Sequence, residues 1–254
     1  MTPRILFFDT ERAPPLWWAW EQKKEQYLRY SQMVQSGFFT SIQWQWEWEA
    51  KPSAYSVTDK PKYFRENPTC DLHVVKKAIE LINDCDILVA HNGKRFDWRH
   101  VKGRAIFHNL RPPKKPYIVD TLTEARTSEF PSNALGDLAK YLGIAEKGYN
   151  ESEAGKMVTG SISQRIKNIN LQTEYGIKDI PPLKALYYRL RPFMDNHPNM
   201  STYAQRPCCP NCQSDDFLHR GSSPLASGCI RKQYECRSCG KRFKGAIEKK
   251  PVFK

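Results

Sequence analysis

A chain of 254 residues with 40% hydrophobic and 26% charged side chains is long enough for one sizeable core and a small satellite, and has the make-up of an ordinary globular protein. Forty Lys and Arg against 27 Asp and Glu give a formal charge of +13, which favours a polyanionic partner such as nucleic acid. No window approaches the roughly 20 apolar residues that span a bilayer, and the apolar run at residues 5–8 is cut short by Asp9 without a signal-peptide core, so no membrane role and a cytoplasmic location are expected.

In chain order, residues 5–8 (Ile, Leu, Phe, Phe) form a continuous apolar run closed by Asp9, which predicts a strand buried on both faces. Ile42, Trp44, Trp46 and Trp48 alternate with Gln43, Gln45, Glu47 and Glu49, the period of a strand with one apolar face and a neighbour of the first in one sheet. Six of the seven tryptophans lie before residue 49, and the alternating set is read as core rather than as a base-stacking surface. Asp71 is a predicted N-cap for an amphipathic helix running to Asn83, with Leu72, Val75, Ala78, Ile79 and Ile82 at helical spacing. Residues 87–90 give another buried strand. Helical patterns recur at about 95–108, 133–142 and 163–191, the last interrupted by Pro181 and Pro182. Mixed strands and helices over residues 1–195 imply an α/β domain.

The last 59 residues hold 11 basic and 4 acidic residues, a balance of +7, against +6 for the 195 before them, and six of the eight cysteines. Turn-forming residues near 191–200 place a linker at 196–205 and a second domain at 206–254. There Cys209 with Cys212 and Cys236 with Cys239 form two C-x-x-C pairs, a spacing that reads as one structural Zn²⁺ in a reducing compartment rather than a disulfide framework. Cys208 and Cys229 are spare candidates, Cys208 as a replacement for Cys209. Cys70 and Cys85 read as buried thiols. Arg231, Lys232, Arg237, Lys241 and Arg242, interleaved with Tyr234 and Phe243, make a mixture suited to phosphates and bases.

Acidic residues supply the chemistry. Asp9 and Glu11 stand two apart at the end of a buried strand, so an extended backbone aims both carboxylates to one side. Asp97 follows a buried strand and a polar turn containing His91, Asn92 and Gly93, and strand carboxyl ends are where open α/β sheets bind ligands. Tyr175 and Asp179 are four apart, on one face of a helix. Each is weak alone. In order, Phe8-Asp9-Thr10-Glu11, His91-Asn92 with Phe96-Asp97, and Tyr175 with Asp179 resemble the tyrosine-containing branch of the DEDD 3′–5′ exonuclease superfamily. The likeness is to the bacterial and phage proteins related to the proofreading domain of family B DNA polymerases. Val119-Asp120-Thr121-Leu122, the segment from Pro131 to Gly143, Leu190-Arg191-Pro192-Phe193 and Asn196-His197-Pro198-Asn199 extend it over nearly all of residues 4–195.

The resemblance implies a ribonuclease H-like mixed sheet flanked by helices, and a cytoplasm that is bacterial or that of a phage-infected host. Asp9, Glu11, Asp97 and Asp179 would be the ligands of two Mg²⁺ or Mn²⁺, with Tyr175 orienting the attacking water and Asn92 near the nucleic acid. Oxygen donors suit these ions, and paired cations offset the repulsion of four carboxylates. The expected activity is 3′–5′ removal of nucleoside 5′-monophosphates, on single-stranded DNA, with replication or recombination proteins as partners. A ribonuclease or structure-specific endonuclease on the same fold, or a non-catalytic zinc-ribbon nucleic-acid binder, are the alternatives. One departure is the pair Pro181 and Pro182, which is expected to kink or restart the helix just past Asp179.

Overall fold

The computed structural model describes residues 2–21, 27–144 and 152–248, and the chain divides into two units, Arg4–Leu186 and Tyr187–Lys254 with Met1–Pro3. The first is built from β1 (Ile5–Ala13), the antiparallel pair β2 (Leu16–Trp17) and β3 (Met33–Gln35), β4 (Phe38–Trp46) and β5 (Ser53–Ser56). It continues with α1 (Pro61–Glu66), α2 (Leu72–Asp84), β6 (Ile87–Ala90), α3 (Asp97–Phe107) and β7 (Tyr117–Asp120). Then come α4 (Thr121–Ala125), α5 (Leu135–Tyr141), α6 (Ala154–Thr159) and α7 (Ile162–Leu190), whose last turn is counted with the second unit. No helix among the described residues is long and apolar enough to cross a membrane.

The main sheet has the order β5-β4-β1-β6-β7, antiparallel among β5, β4 and β1 and parallel from β1 to β7. Its centre, β1, is apolar on both faces because helices cover both. Leu6 and Phe8 join Val74, Val75, Ala78 and Ile82 of α2 and Val101 and Ala105 of α3 in one cluster. Phe7, turned the other way by the period of two, lies under α7, with Lys184 Nζ 5.5 Å from its ring centre. The strand does not stop at Asp9 but extends to Ala13, carrying Glu11 within the ladder.

Several expectations are corrected. The tryptophan-rich strand is buried on both faces rather than one: Gln43 and Gln45 lie inside with Ile42. Trp44 and Trp46 pack against the core while partly exposed, whereas Trp48 falls outside β4, is 62% exposed and stacks on Trp46 at 5.0 Å. Asp71 sits at the start of α2 but caps nothing with its side chain. Its carboxylate instead accepts from Phe39 N (2.7 Å), from Arg104 Nε and Nη2 (2.8 and 2.6 Å), and is 2.6 Å from His108 Nε2, joining β4 to α3. Burial explains the difference, since a carboxylate with no exposure needs every acceptor site filled. Cys85 is buried, but Cys70 is only partly so and contacts Tyr63 Oη at 2.9 Å. The helix runs unbroken through Pro181 and Pro182. Neither proline can donate to the carbonyl four residues back, and the burial of Ile180, Leu183 and Leu186 offsets that loss.

The second unit holds an antiparallel sheet β10-β9-β8, formed by β8 (Phe217–Pro224), β9 (Ile230–Cys236) and β10 (Arg242–Glu248). Its small apolar centre is aromatic: Tyr234 and Phe243 stack at 5.5 Å with Phe217 edge-on to both.

Candidate active site and metal centre

Three elements bring the acidic residues together. β1 carries Asp9 and Glu11, the first turn of α3 carries Asp97, and α7 carries Asp179. Burial pushes the Asp9 carboxyl well above the usual carboxylate range, and the charges of Asp97, Glu11 and Asp179, in that order, push it further. Asp97 is almost fully buried and its carboxyl is raised to about 7, chiefly by burial; the Thr10 hydroxyl, donating to Oδ1 at 2.7 Å, works the other way. The other oxygen, Asp97 Oδ2, is buried with no hydrogen-bond partner among the described residues. A buried acceptor left open beside three further carboxylates fits a hard divalent cation. Among the described residues no three carboxylates close to within 4.8 Å of one another, as expected of like charges held apart.

The helix that delivers Asp179 is located by polar contacts the sequence did not advertise. Buried Gln172 donates to Glu11 Oε2 at 2.9 Å and accepts from Thr40 Oγ1 at 2.7 Å, tying α7 to β1 and β4. One turn on, Gly176 lies directly over Gln43, so that a Cβ there would come 2.8 Å from Gln43 Cδ. Farther along, Lys184 Nζ donates to Glu47 O at 2.9 Å. Tyr175 and Asp179, one turn apart and both partly buried, flank this seat. Gly176 was the detectable signal: a lone glycine inside a helix costs about 1 kcal/mol and usually marks a close approach. Gln172 and Gln43 give none, because a buried amide cannot be told from a surface one by type.

The turn between β6 and α3 is held from behind by Asp120, which accepts from Asn92 N (2.9 Å) and Lys94 N (3.0 Å) while also capping α4 through Leu122 N and Thr123 N. This fixes Asn92 at φ 69°, a left-handed conformation that asparagine tolerates. His91 Nε2 donates to Asn133 O at 2.9 Å and Nδ1 meets Thr121 Oγ1 at 2.9 Å, so the histidine orders the turn.

In the second unit, Cys209, Cys212, Cys236 and Cys239 are the set whose ligand atoms all lie within 4.8 Å of one another, with Sγ separations of 3.8 Å (Cys209 to Cys239) and 3.5 Å (Cys212 to Cys236). Each C-x-x-C pair is followed by a residue of positive φ, Gln213 at 62° and Gly240 at 72°, whose N–H donates to the carbonyl of the pair's first cysteine, at 2.9 Å in both turns. Two such turns facing each other make the four-thiol cage of a zinc ribbon, and four soft donors fit zinc. Cys208 is buried outside the set, and Cys229 lies in the β8–β9 turn. Of the basic residues, Lys241 donates to Met194 O at 2.8 Å, Arg237 is 3.7 Å from Asp216, and Arg242 is 3.3 Å from Glu235. Arg231 and Lys232 lie on β9, partly buried. Tyr234 and Phe243, stacked on each other, line a groove of about 470 Å³ with Arg220 and Lys244.

Comparison with known proteins agrees with this architecture. A ribonuclease H superfamily model matches residues 53–158, a stretch that includes Asp97. The chain is 35% identical over 125 residues to the DNA polymerase III PolC-type of Ureaplasma parvum serovar 3, a match covering 47% of this chain and 8% of that polymerase. The chain therefore spans under a tenth of that relative's length. Among solved structures, the family B DNA polymerase of the hyperthermophilic archaeon Pyrobaculum calidifontis superposes with a TM-score of 0.51 at 16% identity, over 75% of this chain and 25% of that one. That likeness is one of fold. The mixed sheet and its helices are ribonuclease H-like, as the acidic motifs led one to expect.

Proposed function

We propose that this ribonuclease H-like protein is a metal-dependent 3′–5′ exonuclease that hydrolyses single-stranded DNA to nucleoside 5′-monophosphates. The observation that carries the reading is the convergence on Asp9 of Glu11, Asp97 and Asp179 from three separate elements. Asp9, Glu11, Asp97 and Asp179 would hold two Mg²⁺ or Mn²⁺, which when bound supply charge neutralisation and Lewis acidity at the scissile phosphate. The rest falls to the chain. Thr10 fixes the Asp97 carboxylate through Oδ1 and leaves Oδ2 available, and Gln172 holds Oε2 of Glu11 in place. Tyr175 is the group that would orient the attacking water, as a hydrogen-bonding phenol one turn before Asp179. The Asn92 turn would meet the strand, as would Arg231, Lys232, Arg237, Lys241 and Arg242 of the ribbon. We place the nuclease domain at 1–195, a linker at 196–205 and a Zn²⁺-bearing ribbon at 206–254.

The test is a time course on 5′-labelled DNA and RNA, single- and double-stranded, with Mg²⁺, Mn²⁺ or chelator. A ladder descending from the 3′ end of single-stranded DNA, abolished by chelator and by Asp9→Ala or Asp179→Ala, is the expected result. Internal cuts, a preference for RNA, or undiminished cleavage by both variants would overturn it.

A further inference from the structure

On the face of β1 opposite Glu11 lies a small pocket of about 100 Å³, lined by Arg12, Gly37, Phe39, Arg99, His100 and Arg104 among others. Alternation along β1 explains its place. Thr10 and Arg12 turn toward α3, where they meet Asp97 and His100, while Glu11 turns toward Gln172 of α7. A register shift against β4 falls at Glu11 and Arg12, and Gly37 has no room for a Cβ beside the Arg12 guanidinium. The pocket therefore neighbours the Thr10–Asp97 contact, its Arg12 following Glu11 by one residue and its Arg99 and His100 following Asp97 by two and three.

The pocket is rich in donors and short of acceptors. Arg104 is neutralised by Asp71. Arg12, partly buried, has no carboxylate partner among the described residues; its Nη1 donates to His100 Nε2 at 2.5 Å. Because a guanidinium only donates, His100 accepts through Nε2 and carries its proton on Nδ1, which is buried without a partner among the described residues. Arg99 adds an exposed cation. A partly buried guanidinium without a counter-charge is unfavourable, and an anion relieves it.

We propose that this pocket is a phosphate subsite, taking a backbone phosphate of the bound nucleic-acid strand next to, and distinct from, the scissile one. The assignment rests on the nuclease reading for its substrate class. Arg12 and Arg99 grip the phosphate oxygens, and the apolar ring of Phe96, packed on His100 at 4.2 Å, borders the strand's path.

Single-stranded DNA in which one phosphate at a time is replaced by a neutral methylphosphonate tests it, with the zinc-loaded full chain titrated without added Mg²⁺ or Mn²⁺ so that binding is read without cleavage. The wild type is expected to lose about tenfold in affinity at one position, and Arg12→Gln and Arg99→Gln each to erase that positional loss. Arg99 is exposed, so its variant guards against misfolding of the other, and circular dichroism checks both. A loss of equal size in wild type and both variants, or no sensitive position at all, overturns the subsite. Binding of inorganic phosphate that Arg99→Gln abolishes, with no positional effect on DNA, overturns the strand assignment in favour of free phosphate. Cleavage is read separately with Mn²⁺: a positional binding loss without cleavage supports the subsite and refutes the exonuclease, whereas a 3′ ladder with no positional loss does the reverse.

Discussion

Replacing Gly176 by alanine probes the seat of α7, the helix that carries Asp179. The added methyl would lie 2.8 Å from Cδ and 2.9 Å from Nε2 of Gln43, about 0.6 Å inside ordinary contact. Gln43 is fully buried and its amide is bonded to Ser41 Oγ at 2.7 Å, so α7 must lift or the glutamine must break that bond. Overpacking of this kind costs about 1–3 kcal/mol, while alanine in a helix interior returns about 1 kcal/mol. The net loss of about 1 kcal/mol lowers the melting temperature by about 2–4 °C. Asp179 is three residues on, on the same face, and a shift approaching 1 Å at a reacting centre costs up to about a hundredfold. Calorimetry and the end-labelled cleavage assay should therefore show a small loss of stability with a tenfold or larger loss of rate. Gln43→Ala in the same chain, by opening the seat, should restore part of both. Gly176→Ala more stable than wild type and fully active would refute the reasoning.

Three further outcomes follow from other parts of the molecule. Asp71→Ala strips the shared partner from Arg104, His108 and Phe39 N, and should lower the unfolding free energy by about 3–5 kcal/mol in urea titrations; a change below about 1 kcal/mol would show the network to be dispensable. His197, bonded to Tyr187 Oη at 2.8 Å, is lowered to about 4 by burial and by Arg191, so it stays neutral in the fold while the unfolded chain protonates near 6.5. Its contribution is present above pH 6.5 and lost as pH falls toward 4; urea midpoints across that range should slope less in His197→Gln, and identical slopes would contradict this. Elemental analysis should find one zinc per chain, lost in Cys236→Ser and kept in Cys208→Ser and Cys229→Ser.

Periodicity, which depends only on neighbours in the chain, made β1, β6, α2 and α3 legible, and ligand spacing made the cysteine pairs legible. The same local rules misjudged Asp71, whose position before α2 is that of a cap but whose partners come from β4 and α3, and they allowed a restart at Pro181 and Pro182 where the helix runs on, with Ile180, Leu183 and Leu186 buried. The order of the acidic motifs and the resemblance it carries singled out Asp9, Glu11, Asp97 and Asp179 as the proposed ligand set. What holds them, Gln172 on Glu11, Gly176 on Gln43 and Thr10 on Asp97, was decided only by tertiary structure. A buried amide, a close approach and an unpaired guanidinium acquire meaning from neighbours distant in sequence, and the sheet order that makes them neighbours is a property of the whole fold.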